Sequence, residues 1–214
     1  ALPISEINAA GPNVGVEKFQ RLMNYFEEVL QEGDVVFLAG NATPGLDETS
    51  YVEIAKLCHA REVKLVLDTT KESLLACLPY QPFMIKPNQQ ELEELFGVNI
   101  QTQEEIVHYA LQLQKTGARN VLVSCGADGA FLVSETEQVF ISNIPKGTLV
   151  NSVGAGDSML AGFMAKYIET NDYRKSLKQG AASGSATAFS VGIATKELIE
   201  ELIPHIEIAE ISRQ

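Results

Sequence analysis

Three short runs in this chain, VVFLA (35–39), KLVLD (64–68) and NVLVS (120–124), are apolar almost throughout instead of alternating with polar residues. Strands of that kind need cover on both faces, which parallel sheets obtain from flanking helices. Between the runs the apolar spacing becomes helical. Phe19, Leu22, Met23, Phe26 and Leu30 share one face of a helix predicted over 16–31, and further helices are expected over 48–61, 89–96 and 104–116. A short strand over 83–86 and hairpin-like strands over 130–134 and 138–141 follow from the same reading, after which the chain turns helical over 155–169, 172–191 and 196–203. Alternating strands and helices predict an α/β fold, a three-layer, doubly wound, mostly parallel sheet whose ligands bind beyond the carboxyl ends of the strands.

With 214 residues and no linker-like stretch or repeat, a single domain over 1–214 is expected. The opening segment fits less well. Leu2–Ile7 reads as a strand without a sheet partner, followed by a turn-rich stretch to Gly15, and an isolated strand cannot bury itself. The chain is therefore expected to be incomplete at its N-terminus, with 1–15 the remnant of an accessory sheet and the return from it. A net charge of −12 disfavours binding to a phosphate backbone, so no nucleic-acid partner is expected, and no apolar run reaches the length of a membrane span. Cys58, Cys77 and Cys125 are odd in number and far apart, which points to reduced thiols in a cytoplasm, and the three histidines are scattered singly.

Three segments carry chemistry. In NSVGAGDS (151–158), Gly154 and Gly156 let main-chain N–H groups approach an anion at a helix start, and Asp157 there could take a proton from a hydroxyl attacking a phosphoryl group. Asp157 acting only as a helix cap is the other reading. In KPNQQE (86–91), Asn88 and Glu91 share the first helical turn and could orient water around Mg²⁺, with Lys86 on a phosphate; the plainer alternative is a capping box. The loop Ser124-Cys125-Gly126-Ala127-Asp128-Gly129 could hold nucleotide phosphates or be an ordinary hairpin turn. Gly180–Ser190 is most simply a tightly packed helix, with a nucleotide base against it as the other possibility. Two common motifs are excluded. The sixth position of a G-x-G-x-x-G fingerprint is Met159, and the chain has no Gly-Lys pair for a P-loop. What unites the segments is their order: each adjoins a strand end, and together they supply the parts of a phosphoryl-transfer site.

KPNQQELEELFG (86–97), VSCGADGAFLV (123–133) and NSVGAGDSMLAGF (151–163) resemble the ribokinase-like carbohydrate kinases of the phosphofructokinase B branch, over about residues 5–208. The phrasing is most similar to kinases of fructose 1-phosphate, with kinases of tagatose 6-phosphate the near alternative. The resemblance implies a ribokinase-like fold with its lid sheet largely missing here. It implies ATP and Mg²⁺, a sugar-phosphate substrate, no membrane, and a homodimer for the full-length protein. By position it makes Asp157 the base, with Gly154, Ala155 and Gly156 as the anion hole. Lys86, Ser124–Gly129 and Ser183 fall on the nucleotide, Asn88 and Glu91 on Mg²⁺ through water, and Asn41 on the sugar phosphate. It also leaves open a chain that binds nucleotide without catalysis.

Overall fold

A computed structural model describes residues 11–40, 42–69 and 71–211 of the chain, which divides into two compact units, Ala1–Phe83 and Met84–Gln214. In the first, helix α1 (Gly15–Val29) buries Phe19 and Met23, one turn apart, while Leu22 is exposed. The stripe is narrower than the sequence suggests. Strands β1 (Val35–Ala39) and β2 (Lys64–Asp68) pair in parallel, Val35 opposite Lys64 and Ala39 opposite Asp68. Helix α2 (Glu48–Ala60) connects them, started by Asp47, whose carboxylate accepts the Thr49 amide at 2.9 Å. The middle of β2 is wholly buried, but β1 departs from expectation: Val36 is buried and Phe37 is 45% exposed. Among the described residues the all-apolar run VVFLA thus has cover over one face only. Helix α3 (Lys71–Cys77) and a 3₁₀ turn (Leu78–Tyr80), which were not anticipated, close the unit over Leu74, Cys77 and Leu78.

The second unit is built on strands β3 (Met84–Ile85), β4 (Asn120–Ser124), β5 (Ala130–Val133), β6 (Val139–Ser142) and β7 (Ile208–Ile211), adjacent in that order. β3 and β4 run parallel, and from β4 onward each neighbour is antiparallel. The expected hairpin is present, and β7 extends it beyond the predicted elements. Every residue of β5, and all of β4 but Ser124, is buried, so both faces of the sheet are covered there. Helices α4 (Gln89–Phe96) and α5 (Gln103–Lys115) pack on β4, whereas α7 (Tyr173–Ala188) packs on β6 and β7. α6 (Ala155–Thr170) lies along α7 at unusually close range. A Cβ added to Gly184 would stand 3.0 Å from the Ala155 carbonyl and 3.1 Å from Met159 Cβ. The small residues over 180–187 exist for that approach, as the tight-packing reading anticipates. Tyr173 anchors the far end of the pair, donating its hydroxyl to Glu135 Oε1 at 2.7 Å, and helix α8 (Lys196–Leu202) leads into β7.

Candidate active site

The register of β3 on β4 assembles the first half of the site. Met84 stands opposite Asn120 and Ile85 opposite Val121; beyond the strand the Pro87 carbonyl accepts the Ser124 amide at 3.1 Å, and Asn88 bridges to Ser124. This draws Lys86, Asn88 and the loop after β4 to one edge. The loop is a hairpin connection containing a 3₁₀ turn (Gly126–Asp128). Three of its amides are consumed internally: Cys125 donates to the Gly129 carbonyl, Asp128 to Cys125 and Gly129 to Gly126. Those three amides are therefore committed to the turn rather than to a ligand.

The second half is the start of α6. Gly154 has φ +78°, a left-handed conformation that glycine adopts without strain. No side chain caps the helix. The Ala155 amide turns back to the Ser152 carbonyl at 3.1 Å, so among the described residues the amides of Gly154, Gly156 and Asp157 are left without an acceptor. Of the three residues expected from sequence to offer amides to an anion, Gly154 and Gly156 keep theirs open and Ala155 does not. Lys86, only 6% exposed, lies against this turn: its Nζ is 3.1 Å from where a Cβ on Gly156 would stand. A buried ammonium and the positive end of a helix dipole, gathered at one point, favour an anion there. Asp157 is exposed in the same first turn.

These two halves enclose a cleft of about 590 Å³, within the size range of nucleotide and drug-sized ligand sites. Lys86, Asn88, Ser124, Gly126, Ala127, Gly129, Ala155 and Gly156, all singled out in the sequence, line it together. Several predicted residues are not on its wall. Cys125 is buried, and burial with the nearby Asp128 carboxylate pushes its thiol up to about 12, so it is inert packing. Asp128 faces a second hollow with Gln103 and Asn143. Ser183 points into the α6–α7 contact, where its Oγ would lie 2.3 Å from a Cβ on Gly162, and α7 presents Gly184 and Ser185 to the cleft instead. Asn41 lies outside the described residues.

Asn88 and Glu91 form a capping box. Asn88 Oδ1 accepts the Glu91 amide at 2.8 Å, and Glu91 Oε2 accepts the Asn88 amide at 2.8 Å. The structural reading is realised, and it engages one oxygen of each side chain. Among the described residues no group of three or more His, Cys, Asp or Glu could enclose a metal ion. The donor set therefore suits only a cation that keeps its waters and takes its other ligands from phosphate, as Mg²⁺ does.

One stretch of wall joins Ala188 and Phe189, from the segment 180–190 that the sequence offers to a nucleotide base, to a loop that the sequence did not single out. Pro145, Gly147 and Leu149, from the loop after β6, meet Met159, Ala188 and Phe189 there. The loop has no periodicity to betray it; Phe189, a lone aromatic ending an Ala/Ser/Gly helix, is the one available signal.

The arrangement brings main-chain donors and a buried lysine together with apolar side chains in one cleft, while Gly154, Asp157 and Glu91 are not on its wall. The pfkB family carbohydrate kinase model matches residues 5–200. Over 207 residues the chain is 42% identical to a 1-phosphofructokinase of Bacillus subtilis, spanning 97% of this chain and 68% of that one. A D-tagatose-1-phosphate kinase of Bacillus licheniformis is 33% identical over 202 residues, or 94% and 66% of the two chains. A crystal structure described as a candidate phosphofructokinase of Staphylococcus aureus superposes with a TM-score of 0.90 at 33% identity, over 98% of this chain and 68% of that one. Phosphofructokinase-2 of Escherichia coli, at 23% identity and a TM-score of 0.84 over 92% and 64%, bears on the fold alone. The fold is the ribokinase-like α/β fold, and the chain belongs to the pfkB family of carbohydrate kinases.

Proposed function

We propose that the chain carries out ATP-dependent phosphorylation of fructose 1-phosphate to fructose 1,6-bisphosphate. The observation that carries this reading is 42% identity, along nearly the whole chain, to a relative named for that activity. The unsheltered start of α6 beside a buried lysine supports it from the side of chemistry.

In the proposed reaction Asp157 takes the proton of the sugar 6-hydroxyl as that oxygen bonds to the γ-phosphorus. The bond from the γ-phosphorus to the bridging oxygen breaks, and ADP leaves with the electron pair. The Gly156 and Asp157 amides and the Lys86 ammonium offset the charge on the transferring group; such preorganised donors typically contribute about 10² or more in rate. Mg²⁺ carried by the nucleotide, with Asn88 and Glu91 reaching it through water, would add charge neutralisation at the phosphates. Gly126 and Ala127 lie where the nucleotide's remaining phosphates would pass. The three cysteines are free and buried, in keeping with a reducing cytoplasmic setting.

A coupled assay of ADP release tests the proposal, with fructose 1-phosphate, tagatose 1-phosphate and tagatose 6-phosphate offered in turn beside calorimetric binding of ATP. Fastest turnover with fructose 1-phosphate is expected. A higher kcat/KM with either tagatose ester would reassign the sugar. ATP binding with no turnover on any of them would make the chain a nucleotide-binding module.

A further inference from the structure

The start of α6 has no side-chain cap, yet Asp157 in its first turn must be held in place to serve as a base. A fraying helix end would move that carboxylate, and a small misplacement can lower a rate by about 10²-fold. The restraint comes from α7. Gly184 limits movement by shape, since a Cβ there would stand 3.0 Å from the Ala155 carbonyl, but it gives no bond against movement away. The bond is made one turn further on. Thr187, which is buried, donates its hydroxyl to Ser158 Oγ at 2.9 Å, and Ser158 is the residue after Asp157.

A hydroxyl within a helix commonly turns back on the helix's own backbone. Ser176 does so near the start of α7, donating to the Asp172 carbonyl at 2.6 Å, and Ser190, just past its end, donates to Ala186 at 2.8 Å. Thr187 does not. Its Oγ1 accepts the Ala194 amide at 3.2 Å, from the loop after α7, and its single proton goes across to Ser158. The Ser158 amide in turn donates to the Gly154 carbonyl at 2.9 Å, closing the turn that contains Gly156 and Asp157. A cap on α6 itself would consume the amides of that turn, whereas a tie made to the Ser158 side chain consumes none. Resting on the kinase reading above, which gives Asp157 its role, we infer that Thr187 is a positioning residue for the transfer. Its hydroxyl holds the first turn of α6 as a cap would, and leaves the amides there open to phosphate.

The test sets T187V, which keeps the shape and removes the hydroxyl, beside T187S, S158A and the double variant T187V/S158A. In amide hydrogen exchange, T187V should quicken the Ser158 amide by about five- to ten-fold. The Leu92 amide at the start of α4 should not change, and T187S should match the unsubstituted chain. In the coupled assay with fructose 1-phosphate, T187V should lower kcat by about ten- to 100-fold while ATP affinity by calorimetry stays within a few-fold. T187S should restore kcat. The double variant should be no slower than the slower single one, because both substitutions remove the same bond. An unaltered kcat or an unaltered Ser158 exchange in T187V would overturn the inference, as would additive losses in the double variant. Exchange quickened equally at Ser158 and Leu92 would also overturn it, by making Thr187 merely structural. Absence of turnover from the unsubstituted chain with every sugar phosphate would remove the kinase reading, and exchange at Ser158 would then decide by itself whether Thr187 holds the turn.

Discussion

Two helices begin at the edge of the same cleft, and their starts are built in opposite ways. At α4 the chain supplies its own partners, Asn88 and Glu91 each accepting the other's amide at 2.8 Å. At α6 no side chain caps the helix, Gly154 adopts φ +78°, and Lys86 is packed beside the turn. A capped terminus satisfies its own donors and gains stability from them. An uncapped one beside a buried cation forgoes that stability and keeps its donors for something that arrives later. In the proposed reaction N-x-x-E is therefore structural first, and G-A-G-D is where the chemistry is placed.

Substitutions at the two termini should therefore fall into different classes of effect. The largest belongs to Asp157→Asn, which should lower kcat by about 100-fold or more while ATP binding stays within a few-fold; steady-state kinetics beside calorimetry separates the two quantities. An unimpaired kcat would remove Asp157 from the reaction. Next, Lys86→Met should weaken nucleotide binding by about ten- to 100-fold, since a hydrogen bond to a charged group contributes about 1.5–3 kcal/mol. Comparable ATP affinity would mean that the ammonium serves packing alone. Gly154→Ala forces a side chain into the left-handed region and should cost about 1–2 kcal/mol, seen as a melting temperature lower by several degrees. The smallest effects lie on α4. Asn88→Ala should cost about 1 kcal/mol as a lost cap, and Glu91→Gln, which keeps an acceptor, should shift the Mg²⁺ needed for half-maximal activity only a few-fold. A shift of about 100-fold for Glu91→Gln would erase the contrast between the termini, because Glu91 would then hold the metal directly.

How far all this could be read from the chain depended on whether the determining physics was local. α4 is legible to the residue because its cap at Asn88 and its glycine stop at Gly97 are neighbours in sequence. β4 is equally legible from an apolar run between polar ends. α3 and β7 escaped, β7 because only Ile208 of its four residues is buried, so that no apolar run marks it. Phe37 shows the limit of the apolar-run rule, for the sequence says that a strand wants cover and not whether both faces receive it. Within the site, the motifs brought out the donors around Lys86, while the facing of α7 was hidden. A helix of alanine, serine and glycine has no apolar stripe to tell Ser183, turned to Gly162, from Ser185, turned to the cleft. Nor could spacing reveal that three amides of the loop after β4 are already consumed by its own turn.

The decisive observation is where phosphate sits. A crystal structure of the chain with Mg²⁺, a non-hydrolysable ATP analogue and fructose 1-phosphate should place the γ-phosphate within hydrogen-bonding distance of the Gly156 and Asp157 amides and of Lys86 Nζ, with the 6-hydroxyl of the sugar facing the Asp157 carboxylate. A γ-phosphate seated at the start of α4, or anywhere beyond reach of Asp157, would contradict the assignment of the open helix terminus as the place where the phosphoryl group is transferred.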